Sequence, residues 1–398
     1  MMLTICPLLS AALAVPSAAY PTIHAGPGWS SDTLGGMTFV HGGDGKMYNS
    51  TQLALIARFQ MAQFDKSVFI GDMPGVATED RMVAAAKLVK GAAPHIKTLL
   101  YLQGLINFPA SKLYNATPAA LLATDAEGKR AKLKGHTVFN VSNPSMRALI
   151  VAAAQSGMAT GMFDGVFIDR ANYAEKCAST QSSQPVAISP STCAALMPGS
   201  RQLLADLTAA LGKDAIVLAK ETNHAPATDW QVANAAMTSD TFCSRYCHNC
   251  NSSVDPRTGW AAADRDECLA SMKTIANVAA RGQLSQNHGM GPTTGALAAA
   301  QRTFTIAAFL VSAGNHSYFS YADWVSNCWN LAGTGWWPEY DKPLGTPISP
   351  PLNQVGSNMY AFERNFSSGT RVFVDVEKHE AQIVWGHEVS PRTKSHHK

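Results

Sequence analysis

The clearest candidate for chemistry is Asp169, which ends an apolar segment. Residues 163–169 read FDGVFID, and the Val-Phe-Ile run stops at the carboxylate. A short buried strand that ends in a charged side chain is typical of parallel sheets whose strand ends carry functional groups. Because Arg170 follows directly, the alternative for Asp169 is a salt bridge at the sheet edge.

Polar side chains follow the other predicted strands in the same way. Two further carboxylates, Glu221 and Asp240, follow the predicted fifth and sixth strands. The other candidates are amides, aromatic rings and charged groups near strand ends: Asp65, Lys66, Gln103, Asn107, Arg170, Asn172, Tyr173, Asn223, Asn287, His288, His316, Tyr318, Tyr321 and Asp323.

These residue types fit the cleavage of sugars, which needs two carboxylates flanking the glycosidic bond. We expect Asp169 and either Asp240 or Glu221 to form the catalytic pair, and the other strand-end residues to bind substrate. A carboxyl separation of ~5–5.5 Å predicts retention, and ~6.5–9.5 Å predicts inversion. The alternatives are a surface pair with Lys220 for Glu221 and a helix or loop cap for Asp240.

Signatures of other chemistries are missing from the sequence. It contains no G-x-S-x-G, no G-x-x-x-x-G-K-[ST], no G-x-G-x-x-G and no H-E-x-x-H. We therefore expect no cofactor and no metal. The tryptophans between residues 324 and 337 fit either a sugar-stacking platform or packing over the sheet.

Strand-like and helical segments alternate from about residue 35 to residue 325. The predicted strands are 37–41, 63–70, 98–104, 163–169, 215–219, 235–242, 283–287 and 317–321; the predicted helices are 52–63, 79–89, 145–154, 201–211, 267–280 and 295–311. Strands that are apolar on both faces and alternate with helices indicate a parallel sheet. Eight of them predict an α/β fold, a (β/α)8 TIM barrel within residues 20–350.

A small C-terminal antiparallel β appendage is predicted over residues 351–388. Segments 359–366, 371–376 and 381–385 alternate like three short strands, and Ser-Ser-Gly at 367–369 fits the first turn. Residues 389–398 are predicted to be a disordered tail.

The N-terminus predicts secretion. Residues 3–15 form an apolar stretch and Ser17-Ala18-Ala19 a small-residue cleavage pattern, so residues 1–19 read as a signal peptide, with a buried N-terminal helix as the alternative. N-x-S/T sequons, which mark N-glycosylation in secreted proteins, occur at six positions: Asn49, Asn115, Asn140, Asn251, Asn315 and Asn365.

The cysteines fit the same compartment. Cys177 and Cys193 bracket one short loop and are predicted to pair. For the cysteines at 243, 247, 250, 268 and 328 the pairing is open. A metal cluster is the alternative for the group Cys243, Cys247, His248, Cys250 and Cys268, although the spacing of these residues is not a clean C-x2-C pattern.

The composition limits the partners. Hydrophobic residues make up 46% and charged residues 15%, with a formal net charge of +3, which is too small to favour nucleic acid. The longest apolar run after the N-terminus, residues 306–313, is shorter than a bilayer span. We expect a monomer with a carbohydrate substrate, no nucleic-acid partner and no membrane insertion.

Two segments carry a resemblance to a known group. FDGVFIDRANY at 163–173 and WWPEYDKPLGTPISPP at 336–351, followed by Arg364-Asn365-Phe366, resemble the glycoside-hydrolase-like TIM-barrel families, secreted barrels known mostly as hypothetical glycosidases. The resemblance implies a sugar substrate and an Asp at the end of strand four as nucleophile or stabiliser. Related barrels pair it with a carboxylate on strand six, where this chain has Asp240 instead of the more usual Glu.

The expected function is therefore a secreted glycoside hydrolase, retaining, with Asp169 as nucleophile and Asp240 or Glu221 as acid/base. Two alternatives stay open. One is a catalytically inactive carbohydrate-binding protein on the same scaffold, and the other is a metal-dependent hydrolase that uses the Cys/His region.

Overall fold

The computed structural model describes residues 37–40, 45–125, 127–133, 135–171, 190–220, 232–238, 242–244, 260–291, 296–322 and 335–386. Within these ranges the fold is mixed α/β, with one large parallel sheet and one smaller antiparallel sheet. The predicted signal peptide and C-terminal tail lie outside them.

The large sheet has eight parallel strands in the order of the sequence. Its strands are β1 (Met37–Val40), β2 (Met61–Phe64), β3 (Lys97–Gln103), β4 (Gly165–Asp169), β5 (Ile216–Ala219), β6 (Ala235–Met237), β7 (Leu284–Met290) and β8 (Ser317–Ala322). The two end strands, β1 and β8, lie in contact with each other. Nearly every described side chain of β2 to β8 is buried, as expected for strands covered on both faces.

Helices connect most of these strands, which confirms the predicted alternation. They are α1 (Ser50–Ile56), α2 (Thr78–Ala92), α3 (Lys112–Ala116), α4 (Pro144–Met158), α5 (Pro190–Leu211), α6 (Ala262–Ala280) and α7 (Ala296–Ser312). Short 3-10 turns lie at Ala119–Leu121 and Pro338–Asp341. None of the helices in the described ranges is long and apolar enough to cross a membrane.

The prediction was wrong around the second strand. The helix predicted to reach residue 63 ends at Ile56, and β2 begins at Met61 instead of residue 63. All four residues of β2 are buried, whereas the helical pattern counted Met61 as part of an amphipathic face. A segment of only four residues, Met-Ala-Gln-Phe at 61–64, is too short to distinguish a helical from a strand period, which is why the boundary was misplaced.

The antiparallel sheet contains the three predicted C-terminal strands and one more. Its strands are β9 (Asn353–Gln354), β10 (Ala361–Asn365), β11 (Arg371–Asp375) and β12 (Glu380–Val384). One face packs on α7, where the buried Arg364 donates to the carbonyl oxygens of Leu310 and Ala313. These bonds hold the end of α7 against β10.

A disulfide joins Cys243 and Cys268, linking the segment that follows β6 to α6. The pairing of these two cysteines had been left open by the sequence. Because both thiols are used in the bond, two of the five residues considered for a metal cluster are unavailable as ligands. Cys193 is also disulfide-bonded, but its predicted partner Cys177 lies outside the described residues.

Asp164 secures the amino end of β4. Its carboxylate accepts hydrogen bonds from the ammonium groups of Lys90 at 2.8 Å and Lys97 at 2.9 Å, and from the backbone N–H of Thr98 at 3.0 Å. Burial raises the pKa of Asp164, but these three donors outweigh burial and lower it below its usual value. The carboxylate therefore ties α2 and β3 to β4.

We predict that Asp164→Asn lowers the free energy of unfolding at pH 7 by about 2 kcal/mol, the usual worth of a hydrogen bond to a charged group. A lowered carboxyl pKa contributes stability that is present above the unfolded pKa of about 3.9 and is lost as pH falls through the folded pKa. Urea unfolding from pH 7 downward should therefore show the difference shrinking below about pH 4. Asp80→Asn, which breaks the exposed pair with Lys112, should cost less than about 1 kcal/mol. Equal costs would contradict the assignment.

Candidate active site

Asp169 lies at the carboxyl end of β4, on the face that we call the inner face. This face is defined by alternate strand residues in register: Tyr101 beside Phe167, and Gln103 beside Asp169. The rings of Tyr101 and Phe167 are in contact, 5.8 Å between centroids. Because side chains alternate along a strand, the apolar core of β4 carries Asp169 to the rim of the inner face.

Three donors hold the Asp169 carboxylate. The Tyr101 hydroxyl donates to Oδ2 at 2.6 Å and the Gln103 amide donates to the same oxygen at 2.8 Å. The Lys220 ammonium, which follows β5, lies 3.1 Å from Oδ1, and Arg170 Nε lies 4.0 Å from Oδ2. The alternative of a salt bridge with Arg170 is thus partly realised, but Lys220 makes the closer ion pair.

These cations decide the charge of Asp169. Burial raises the pKa of the Asp169 carboxyl, while Lys220, Arg170 and Lys66 lower it, helped by the Tyr101 hydrogen bond. The net pKa lies far below the usual range, so the group is ionised at every physiological pH. Burial, together with Asp169 and Asp65, raises the pKa of Tyr101 well above its usual value, so that Tyr101 stays a donor.

The loop after β2 brings a second acid into the cluster. Asp65 is buried and accepts from the backbone N–H and hydroxyl of Ser67, at 2.9 and 2.5 Å, and from the Lys66 ammonium at 3.3 Å. That ammonium lies 5.4 Å from the Tyr101 ring centroid and 6.0 Å from that of Phe108. The predicted residues Asp65 and Lys66 therefore lie beside Asp169.

A buried arginine braces this loop. Arg81 on α2 donates to the carbonyl oxygens of Lys66, Val68 and Val76. These three bonds fix the backbone that carries Asp65 and Lys66. This role of Arg81 cannot be read from the sequence, because a basic residue on a helix more often faces solvent.

Buried amides line the end of β3. Gln103 also donates to the Tyr101 oxygen, and its own carbonyl oxygen has no hydrogen-bond partner among the described residues. The Asn107 side-chain oxygen is buried and equally lacks a partner in this part of the chain, while its backbone N–H donates to Thr137. Both predicted amides thus have a buried side-chain oxygen that can still accept a hydrogen bond, and Gln103 also contacts Asp169.

His288 lies on β7, beside Ser320 of β8. Its ring nitrogens contact the Ser320 hydroxyl at 2.8 Å and the Gln286 amide at 2.5 Å. The register places Gln286 and His288 on the inner face, together with Tyr318 and Ser320. Gln286 was missed, although its position two residues before His288, and hence on the same face of a strand, was a usable signal.

Four predicted substrate-binding residues are not brought to this rim. Asn287 bonds Ser285, Thr238 and the Tyr318 carbonyl on the helix-facing side of the sheet. Tyr321 also faces the helices and packs on Trp337, and His316 precedes β8 at the amino end of the sheet. Tyr318 is on the inner face, fully buried in mid-sheet, and burial raises the pKa of its hydroxyl.

Six predicted site residues lie outside the described ranges: Asn172, Tyr173, Glu221, Asn223, Asp240 and Asp323. The same holds for Trp324 and Trp329 of the proposed stacking platform. Trp337 packs against Tyr321 and under the Arg302 guanidinium, and Trp336 lies under that of Arg58. These two rings therefore serve packing.

The arrangement suits a carboxylate that must stay charged. Asp169 is buried and ionised, and it is held by donors on β3 and at the ends of β4 and β5. It can therefore attack or stabilise an electron-poor carbon but cannot deliver a proton. Within the part of the chain that is described, no three His, Cys, Asp or Glu side chains are grouped as a metal site requires.

Comparison with known proteins finds one matching family model and several similar solved structures. A family model described as hypothetical glycosyl hydrolase family 15 matches residues 90–370. Among solved structures, the chain is similar to the glycoside hydrolase domain of PelA from Pseudomonas aeruginosa, with 13% identity, 72% of this chain and 93% of that chain covered, and a TM-score of 0.45.

Two further structures are similar to the chain. Ega3 of Aspergillus fumigatus, in complex with galactosamine, has 11% identity over 78% of this chain and 98% of that chain, with a TM-score of 0.45. The α-galactosidase AgaA of Geobacillus stearothermophilus has 12% identity over 86% and 47%, with a TM-score of 0.47. No curated protein sequence matches the chain.

We predict that Lys220→Met raises the pKa of the Asp169 carboxyl. Lys220 is the largest of the lowering influences, and its loss leaves burial less opposed. Lys220→Arg keeps a cation at the position and should leave the pKa low. Titration of the carboxyl carbon by NMR, assigned with Asp169→Asn, measures both variants. An Asp169 pKa unchanged in Lys220→Met would show that the ion pair does not set its charge.

Proposed function

The chain belongs to hypothetical glycosyl hydrolase family 15, and on that premise we propose that it is a secreted glycoside hydrolase. Its substrate is a poly- or oligosaccharide whose O-glycosidic bonds it cleaves with a pair of carboxylates. It needs no cofactor.

One observation carries the proposal: Asp169 is buried, ionised and held at the carboxyl end of β4. In a retaining mechanism this carboxylate attacks the anomeric carbon while the bond to the leaving oxygen breaks and an acid protonates that oxygen. Water then cleaves the glycosyl ester, and the same acid, now a base, takes the proton of the water. A nucleophile must be unprotonated, as Asp169 is.

The acid/base is Asp240 in this proposal, with Glu221 as the alternative. The described strand β6 leads toward Asp240, and Glu221 directly follows Lys220. A neighbouring ammonium lowers the pKa of a carboxyl group and weakens it as an acid at neutral pH.

Residues around Asp169 are proposed to bind the sugar. The candidates among the described residues are Asp65, Lys66, Gln103, Asn107, Arg170 and His288. The contacts of Gln103 and Arg170 with Asp169, and the inner-face position of His288, support this part of the proposal. The unpartnered oxygens of Gln103 and Asn107 supply acceptors for sugar hydroxyl groups.

The scaffold and the compartment belong to the same proposal. The contact between β1 and β8 supports closure of the eight strands into a (β/α)8 barrel within residues 20–350. The Cys243–Cys268 disulfide and the bonded state of Cys193 support an oxidising compartment, with Cys177 as the partner of Cys193.

We predict that Asp169→Asn lowers kcat on an active polysaccharide by about four orders of magnitude, since the amide cannot form the glycosyl ester. A polysaccharide panel first identifies the substrate, and the variant is then assayed at matched folded concentration. The matched control is Asp164→Asn, which changes the residue directly before the same strand and should keep wild-type kcat. Wild-type turnover by Asp169→Asn would refute the assignment. Binding without turnover in the wild type would favour the carbohydrate-binding alternative.

The two acid/base candidates are separated by azide rescue. We predict that Asp240→Ala retains glycosylation of substrates with good leaving groups and is rescued by azide, because azide replaces the water that the missing base would activate. Glu221→Ala should show no rescue. Rescue of Glu221→Ala alone would assign that residue instead, and rescue of neither would contradict retention.

A further inference from the structure

The outer face of the antiparallel sheet forms a shallow groove. Val372 and Val374 are buried on the opposite face. Toward the Asn365 end of the sheet, the alternate residues that face outward are exposed or half-buried. The residues lining the groove are Glu363, Asn365, Arg371, Phe373, Gln382 and Val384. An aromatic ring at the centre of a polar sheet face is a surface that could bind a small ligand with both apolar and polar sides.

Asn365 stands in this groove and opens the sequon Asn365-Phe366-Ser367. Its backbone is paired, since its N–H donates to the Ser349 hydroxyl and its carbonyl accepts from Ile348. Its half-buried side chain makes no hydrogen bond among the described residues, so that a substituent on Nδ2 would break none of them. By contrast, the Asn49 side chain caps α1.

The register places suitable neighbours beside Asn365. Arg371 lies directly opposite on β11, and Val384 follows across β12. Phe373 is in the next row on β11, a diagonal step of about 7–8 Å from Asn365 and within reach of one sugar ring attached to the Asn365 side chain. Gln382 lies opposite Phe373 on β12, one strand further from Asn365.

We propose that Asn365 carries an N-glycan whose first N-acetylglucosamine is seated in this groove. Its C–H face packs on Phe373 and Val384, and its acetamido and hydroxyl groups bond Arg371 and Gln382. The bond forms between Asn365 Nδ2 and C1 of the sugar while the C1–O bond to a lipid-diphosphate donor breaks; the amide loses a proton and the lipid diphosphate leaves. The proposal rests on secretion in the proposed function but not on catalysis.

The test uses the full chain secreted from a eukaryotic host under its own leader. Glycopeptide mass spectrometry measures occupancy at each sequon, and a peptide-N-glycosidase time course on the native protein measures glycan release. Asn365 should be occupied, and its glycan should be released about tenfold more slowly than that of the exposed Asn115, because a seated sugar is shielded. After denaturation the two rates should be equal.

Phe373→Ala should abolish the protection without changing the occupancy of Asn365. The matched control is Tyr114→Ala, which removes an exposed aromatic ring beside the Asn115 sequon and should leave release at Asn365 unchanged. A bare Asn365 would refute the modification, and an occupied Asn365 released as fast as Asn115 would refute the seat. If Asn115 is also bare, the secretion on which the proposal depends fails with it, while the polysaccharide assay still reports on catalysis separately.

Discussion

A carboxylate that is almost removed from water must be compensated by charges and donors close by, and the site is organised around this requirement at Asp169. The compensation comes from four places in the chain: Tyr101 and Gln103 on β3, Arg170 at the end of β4, Lys220 after β5 and Lys66 after β2. Only a parallel sheet with neighbouring strands in register brings these carboxyl ends together. The loop of Lys66 needs further support, which the buried Arg81 provides.

One aspartate, Asp164, directly precedes β4 and another, Asp169, ends it, and their different positions give them different roles. Asp164 is bonded by two lysines and a backbone N–H, and Asp169 by one lysine, a hydroxyl and an amide. The partners are chemically alike. At the amino end they tie helix and strands together, whereas at the carboxyl end they leave a charged group facing the rim of the inner face, where loops can present a substrate.

The position of Asp169 at a strand end could be predicted from the sequence. The abrupt end of an apolar run is visible locally, without knowing which strands lie beside it in the fold. The roles of Tyr101 and Gln286 depend on which face of a strand points inward, and a shift by one residue exchanges the faces. Asn287 and His288 illustrate this, since both were equally good candidates in sequence and only His288 faces inward. The start of β2 was misplaced because a strand of four residues is too short to show a period of its own.

The charge distribution also constrains the partner of Asp169. All the cations that lower its pKa come from β2, β4 and β5 or the loops that follow them. The described strands β6, β7 and β8 contain no lysine or arginine and offer Gln286, His288 and Ser320 to the inner face. A general acid needs a raised pKa, so it must stand away from the cations that keep Asp169 ionised. In the sequence Asp240 follows β6, a strand without cations, whereas Glu221 directly follows Lys220, so the proposal prefers Asp240 as the acid.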